Sequence, residues 1–225
     1  MQIAILERPA NTIAKITLDA GEDVTAEGGS LVAMSADMAM ETSTHKRGKG
    51  GVMKGLKRML AGENLFLNHY TAAKSGDVLY LAPNLSGDIM HKKLESGTLV
   101  VQGSSFLAHS AGIEMDMTWQ GAKNLLSKEG LFWLKFSGKG DVLINAFGAI
   151  YPVEVKDEYI VDTGHIVAFE DSLTFSLSKV GKSWISSILG GEGLVCRFKG
   201  TGTVWCQSHS ERSFGFALGP KLRAR

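Results

Sequence analysis

The sequence predicts a mainly β chain of three β-rich repeats that close into a pseudo-threefold barrel or prism, with a short helix in each repeat. Three observations predict it: a long glycine-opened stretch occurs three times, two shorter signatures recur with it, and the composition is rich in glycine and poor in proline. The long stretch runs from Gly50 to Leu67 as a glycine, a short helical pattern, Gly-Glu-x-Leu and a strand. Its second version runs from Trp119 to Phe132 and its third from Val180 to Val195. An acid, small residue, glycine turn leading into an aliphatic strand occurs at Glu27–Ala33, Glu95–Val101 and Asp162–Ala168, with its glycines 68 and 67 positions apart. A glycine-centred turn before another strand occurs at Lys74–Val78, Gly138–Val142 and Gly200–Val204. The markers keep one order, which is the signature of internal duplication.

Taken in order, the repeats span about 1–82, 83–147 and 148–219 of a single domain covering 1–225, and residues 220–225 form a basic tail. Each repeat reads as an extended strand, a glycine turn, a second strand opening at Leu31, Leu99 or Ile166, more β structure, the short helix and a hairpin. Strands are predicted at Thr12–Leu18, Leu65–Thr71, Val78–Leu81, Phe106–Ser110, Leu131–Phe136, Asp141–Ala146, Ile150–Val155, Leu173–Leu177 and Leu194–Phe198. These runs are dominated by β-branched, aromatic and aliphatic residues. With 27 glycines and 4 prolines, turns are made by residues that tolerate positive φ. One repeat is too small to close its own core, so three packing against one another cover each other's apolar faces. Neither end repeat has the polar outer face of a solenoid cap, which favours closure over a linear array.

A chain of 225 residues with 44% hydrophobic residues can bury a substantial core. Lysine and arginine total 24 against 23 for aspartate and glutamate, so no global field attracts nucleic acid or membrane, and electrostatic function must be local. The segment Met1–Pro9 has no basic lead and its apolar run stops at Glu7, unlike a secretory signal. No stretch reaches the ~18 uninterrupted apolar residues of a spanning helix. A cytoplasmic protein is expected, with any membrane contact peripheral. Cys196 and Cys206 are too few for a disulfide scaffold; they are expected to flank a hairpin turn near Gly200–Gly202, where they could face each other.

The run Gly-Leu-Lys-Arg-Met-Leu-Ala-Gly-Glu-Asn-Leu-Phe-Leu at 55–67, with Glu-Gly-Gly-Ser-Leu-Val-Ala-Met at 27–34, resembles a bacterial family. Its eukaryotic relatives are mitochondrial biogenesis proteins of the altered-inheritance-of-mitochondria type, number twenty-four. The likeness covers nearly the whole chain. It implies a fold similar to the tryptophan-RNA-binding attenuation protein (TRAP-like), with three β-rich repeats fused in one chain. The mitochondrial relatives are tied to inner-membrane organisation, while bacterial members mostly lack an assigned activity, so the resemblance supplies no catalytic residues.

One copy of the long stretch differs from the others in charge. Lys46, Arg47, Lys49, Lys54, Lys57 and Arg58 lie between Thr44 and Gly62 without an acidic residue, and Val52, Leu56, Met59 and Leu60 follow helical spacing. A basic amphipathic helix suits an anionic membrane surface or the groove of a protein partner. The candidate contacts are therefore Lys46, Arg47, Lys49, Lys54, Leu56, Lys57, Arg58 and Met59. The plainer reading packs the stripe on the sheet and leaves the lysines in water. The function that follows is a non-catalytic scaffold or interaction protein; the alternatives are RNA binding by fold analogy and an undetected enzyme or small-ligand binder.

Other constellations are weaker. Single-strand binding joins cations to aromatic platforms, yet 44–62 holds no aromatic residue, and Trp119, Trp133, Trp184 and Trp205 sit in apolar settings. Ser178–Ser183 ends like a phosphate-binding loop, but Ser176 stands where that loop needs its first glycine. His45, His69, His91, His109, His165 and His209 lack metal-binding spacing, so no metal and no cofactor are expected. Glu63, Glu129 and Glu192 occupy the same place in each repeat, as a shared turn requires and catalysis does not. The sequence does not set the oligomeric state: fused repeats remove the need for a trimer, while exposed edges remain free to pair.

Overall fold

Strands form where apolar and polar residues alternate, because successive side chains point to opposite faces. Ile13–Leu18 alternates in this way, with Ala14, Ile16 and Leu18 buried. The computed structural model describes residues 1–43, 66–116, 132–179 and 194–222. Within them the first third of the chain forms β1 (Gln2–Leu6), β2 (Ile13–Leu18), β3 (Asp23–Glu27), β4 (Leu31–Met34), β5 (Ala39–Ser43), β6 (Leu67–Thr71) and β7 (Asp77–Leu81). The middle third forms β8 (Ile89–Leu94), β9 (Thr98–Gln102), β10 (Phe106–Ser110), β11 (Ile113–Asp116), β12 (Trp133–Gly138) and β13 (Gly140–Asn145). The last third forms β14 (Ile150–Asp162), β15 (Ile166–Glu170), β16 (Thr174–Lys179), β17 (Leu194–Gln207) and the helix α1 (Glu211–Leu218).

The protein is mainly β, as expected, but the described strands make three sheets and no single closed barrel. Their orders are β1-β2-β7-β4, then β5-β6-β3-β10-β13-β8, then β11-β12-β9-β15-β17-β14 with β16 also on β17. Every described strand pair is antiparallel. Neighbouring thirds are joined by two pairs: β3 with β10, and β9 with β15. The short helix expected in each repeat falls in 44–65, 117–131 and 180–193, outside the described residues. The described helix is instead α1, which the strand-and-turn reading had absorbed into the last repeat.

Several expectations need correction. Gly200–Gly202 is no hairpin: β17 runs on through it, paired with β14 at Asp157↔Gly200, Lys156↔Thr201 and Val155↔Gly202. Gly200 takes φ +116, and the register with β14 runs through it without a break. Cys196 and Cys206 consequently lie ten positions apart along one strand, roughly 33 Å at the usual rise. They are buried free thiols and cannot face each other. Burial pushes Cys196 up to about 12 and Cys206 up to about 11, which leaves both as inert thiols.

The acid–glycine signature also joins unlike places. Gly29 precedes β4, which pairs β7, and Gly164 precedes β15, which pairs β17. Gly97 precedes β9, which pairs β12 and β15. The regular 68 and 67 spacing thus matched a turn to one lying a strand earlier. A local Gly-aliphatic pattern reports a tight turn into a buried strand and does not report which strand it is.

The sheets enclose three apolar clusters, centred on Phe106, Leu134 and Phe136; on Ile16, Tyr70 and Leu79; and on Trp133, Phe169 and Phe198. Phe106 stacks on Phe136 at 5.3 Å, and Trp133 and Phe198 each meet Phe169 edge-on at 5.2 Å. Beyond the sheets, a charged clamp ties the connections between thirds together. Asp88, 2% exposed, receives Nε and a terminal nitrogen of Arg8 at 2.8 and 2.7 Å, and its Oδ1 also accepts the amide of Ile89 at 2.9 Å. The Asp88 amide donates to Gly148 O at 2.8 Å, and Ala146 N donates back to Asp88 O at 3.1 Å. A Cβ at Gly87 would stand 1.7 Å from Ala146 O, so only glycine admits this crossing.

Candidate functional site

Most residues singled out from the sequence lie apart or outside the described residues. Lys46, Arg47, Lys49, Lys54, Leu56, Lys57, Arg58 and Met59 all fall in 44–65, outside the described residues. So do Glu63, Glu129, Glu192, His45, Trp119, Trp184 and the Gly181–Ser183 end of the loop that resembles a phosphate binder. Trp133 and Trp205 are 3% and 8% exposed, and Trp205 is covered further by Lys92 Nζ, 4.6 Å from its ring.

The described histidines do not converge. His69 lies between two hydroxyls, Thr25 Oγ1 at 2.9 Å and Ser43 Oγ at 2.8 Å. His91 meets Asp141 at 2.7 Å; His109 and His165 bond backbone carbonyls, and His209 bonds Ser208 Oγ. Among the described residues no group of three or more His, Cys, Asp or Glu is placed to hold a metal. A cavity between Met1, Ile16, Val24, His109 and Asp141 offers about 10 Å³, the room of a single water.

What the structure does bring together is a polar cap at the start of α1. The turns after β3 and β9 are closed by Gly28 N and Gly103 N donating to Phe66 O and Phe132 O at 2.7 and 2.9 Å. The Phe132 ring lies where a Cβ on Gly103 would be, 2.0 Å from Cζ. In the β9 turn Gln102 Oε1 accepts Ser104 N at 3.1 Å and Ser104 Oγ at 2.6 Å. In the β14 turn Asp162 Oδ1 accepts Gly164 N at 2.8 Å. Gln207 pins that turn by donating to Gly164 O at 3.0 Å and accepting Phe147 N at 2.9 Å.

The helix lands on this cap. Ser210 is its N-cap, accepting Ser213 N at 3.4 Å, and its Oγ packs against Gly164, 2.6 Å from an added Cβ. Ser104 Oγ donates to Glu211 Oε1 at 3.2 Å. Glu211 also faces Glu27 at the end of β3. Burial, with the like charge of Glu211 second, pushes Glu27 up to about 7.

Past its first turn the helix loses cover. Phe214 meets Phe147 edge-on at 5.4 Å and is still 45% exposed. Phe216 is 70% exposed, with the Arg212 guanidinium 5.6 Å from its ring, and Leu222 is 63% exposed. No residue of α1 is buried. Among residues 211–225 the cations are Arg212, Lys221, Arg223 and Arg225 and the one acid is Glu211, with 223–225 outside the described residues. Sequence reasoning passed over this helix although signals were present: Ser210 before Glu211 is an N-terminal signal, and Phe214, Ala217 and Leu218 follow helical spacing.

Comparison with known proteins gives the chain relatives. The sequence model of the family described as mitochondrial biogenesis AIM24 matches residues 3–209. A protein of Streptococcus pyogenes serotype M6, described as uncharacterized, is 28% identical over 213 residues, covering 92% of this chain and 85% of that protein. A crystal structure of a Streptococcus pyogenes protein, solved by a structural genomics consortium, superposes with a TM-score of 0.81 at 26% identity. That match covers 98% of this chain and 99% of the other.

Proposed function

We propose, on the premise that the chain belongs to the mitochondrial biogenesis AIM24 family, that it is a non-catalytic β scaffold docking to an anionic membrane surface through α1. The carrying observation is the exposure beside cations of Phe216, 70%, on a helix with no buried residue, and of Leu222, 63%, just beyond its end. A folded chain gains nothing from holding such side chains in water, whereas an interface between headgroups and acyl chains accepts aromatic and aliphatic groups flanked by Arg and Lys. The match to the family model ends at residue 209, one residue before the N-cap, so the proposed contact lies outside the matched residues. The basic segment with Lys46, Arg47, Lys49, Lys54, Lys57 and Arg58 would add a second cationic contact. No helix among the described residues is long and apolar enough to cross a membrane, and the proposed contact does not need one.

We also read the pairing scheme as three copies of one six-strand unit. In the first third β2 pairs β7, β3 pairs β6, β4 pairs β7 and β5 pairs β6. In the middle third β8 pairs β13, β9 pairs β12, β10 pairs β13 and β11 pairs β12. In the last third the two halves of β14, together with β15 and β16, pair the two halves of β17. The long strands β14 and β17 supply what separate strands supply elsewhere.

Co-sedimentation of the full chain with vesicles tests the membrane reading. Binding is expected to vesicles rich in phosphatidylglycerol, to weaken with added salt, and to fall at least about tenfold in a Phe216→Ser, Leu222→Ser variant. Failure to bind, or equal binding to zwitterionic vesicles and by that variant, would remove it.

A further inference from the structure

The two junctions between thirds leave a matching pair of strand edges without a strand partner among the described residues. β4 and β14 are terminal strands of their sheets. β4 is the same kind of strand as β10 and β15. All three carry a register shift two residues wide before an alanine: Leu31 to Ala33 on β7, Phe106 to Ala108 on β13, Ile166 to Ala168 on β17. In the second and third cases the far edge of the strand is filled. Ala108 lies opposite Ala26 of β3, and Ala168 lies opposite Val101 of β9.

Residues 157–162 of β14 correspond in turn to β3 and β9. Glu27, Gln102 and Asp162 stand opposite Leu67, Trp133 and Val195, in each case the second described residue of the partner stretch. The exposures follow the pairing. Phe106 and Ile166 are 0% and 1% exposed under their covered edges, whereas Leu31, in the same place on β4, is 37% exposed. Val32, Tyr159 and Ile160 are 55%, 48% and 47% exposed. The β4 edge, apolar and without a charged side chain, is a template for strand addition, while residues 157–162 carry Glu158 already paired with Arg197 and Lys199.

We infer that β4 of one copy pairs antiparallel with residues 157–162 of a second copy. The register set by the two internal junctions places Ala33 opposite Val161, Met34 opposite Ile160 and Ser35 opposite Tyr159. Both edges are present in one chain and do not pair with each other there, so the occupant that fits each is the complementary edge of another copy. Each chain offers one edge of either kind, and two copies exchanging both edges close the assembly as a dimer. The inference rests on the three-copy reading of the pairing scheme and is independent of membrane docking.

Light scattering of the full chain during size exclusion, over a range of concentrations, tests it. The unmodified chain is expected to be a dimer. Val32→Lys and Ile160→Lys, which change exposed side chains, should each raise the dissociation constant at least about tenfold without changing the circular dichroism spectrum or vesicle binding. A Met34→Cys chain mixed with an Ile160→Cys chain should form a covalent dimer under mild oxidation, since Cys196 and Cys206 are buried. A chain monomeric at every concentration, or a Met34→Cys, Ile160→Cys double variant that crosslinks within one chain, would overturn it.

Discussion

Aromatic residues meet opposite fates in the β sheets and in α1. Phe106, Phe136, Phe169 and Phe198 are at most 1% exposed, each held against another ring at 5.2 or 5.3 Å. Phe214 and Phe216, seven and nine residues beyond the end of the last strand, are 45% and 70% exposed. The first set is explained by the fold, because removing those rings would leave holes between sheets. In the second set Phe214 has one ring neighbour, Phe147, and Phe216 meets only the Arg212 guanidinium among the ring contacts of the described residues. Residue type alone does not separate structural from available aromatics; the number of elements around each one does.

The largest effect expected from breaking this contrast is in the sheets. Phe169→Ala empties the contact with Trp133, Phe175 and Phe198 and should destabilise the protein by about 3–5 kcal/mol in urea unfolding. Next comes the clamp between thirds. Arg8→Ala leaves the buried Asp88 carboxylate without its two-pronged partner, and a loss of about 2–4 kcal/mol is expected, the half-exposed guanidinium moderating it.

The cap beneath α1 gives a smaller, pH-dependent effect. The unfolded chain ionises Glu27 near 4.5, while the folded chain does so only at about 7. Between those values the folded state holds the extra proton, so stability falls as pH rises through the window and is level above it. Glu27→Gln removes this loss. It should stabilise the protein by on the order of 2 kcal/mol at pH 8 and leave it unchanged at pH 4, read as melting temperature against pH. Smallest of all is Phe216→Ser, expected to change stability by less than about 0.5 kcal/mol, as for an exposed side chain with no buried contact.

The same contrast explains what was legible in the sequence. Strong β runs were read with little error: Phe106–Ser110 matches β10, and Thr12–Leu18 and Val78–Leu81 differ from β2 and β7 by one residue at one end. β8 was expected as the extended strand before the Gly97 turn but without bounds, because Lys92 and Lys93 with His91 dilute its apolar signal, although Ile89 and Leu94 bury its ends. β5 was missed because its side chains are mostly exposed. The glycine near position 200 misled because a continuous strand with a positive-φ glycine and a reversal share the same residue types, and only pairing with β14 over both sides of it decides between them. The cap was invisible for a different reason. Glu27, Ser104, Gly164 and Glu211 are far apart in sequence and are assembled by three turns and a helix start. The basic segment at 46–60, the feature the sequence marked most clearly, lies outside the described residues.

The central claim is that α1 is held at its first turn and offers the rest of itself to an anionic membrane surface. Hydrogen–deuterium exchange of the full chain, with and without phosphatidylglycerol-rich vesicles, tests it directly. The account predicts new protection at 211–222 while amides of β2, β9 and β15 exchange as before. Unchanged exchange at 211–222 with vesicles bound would contradict it.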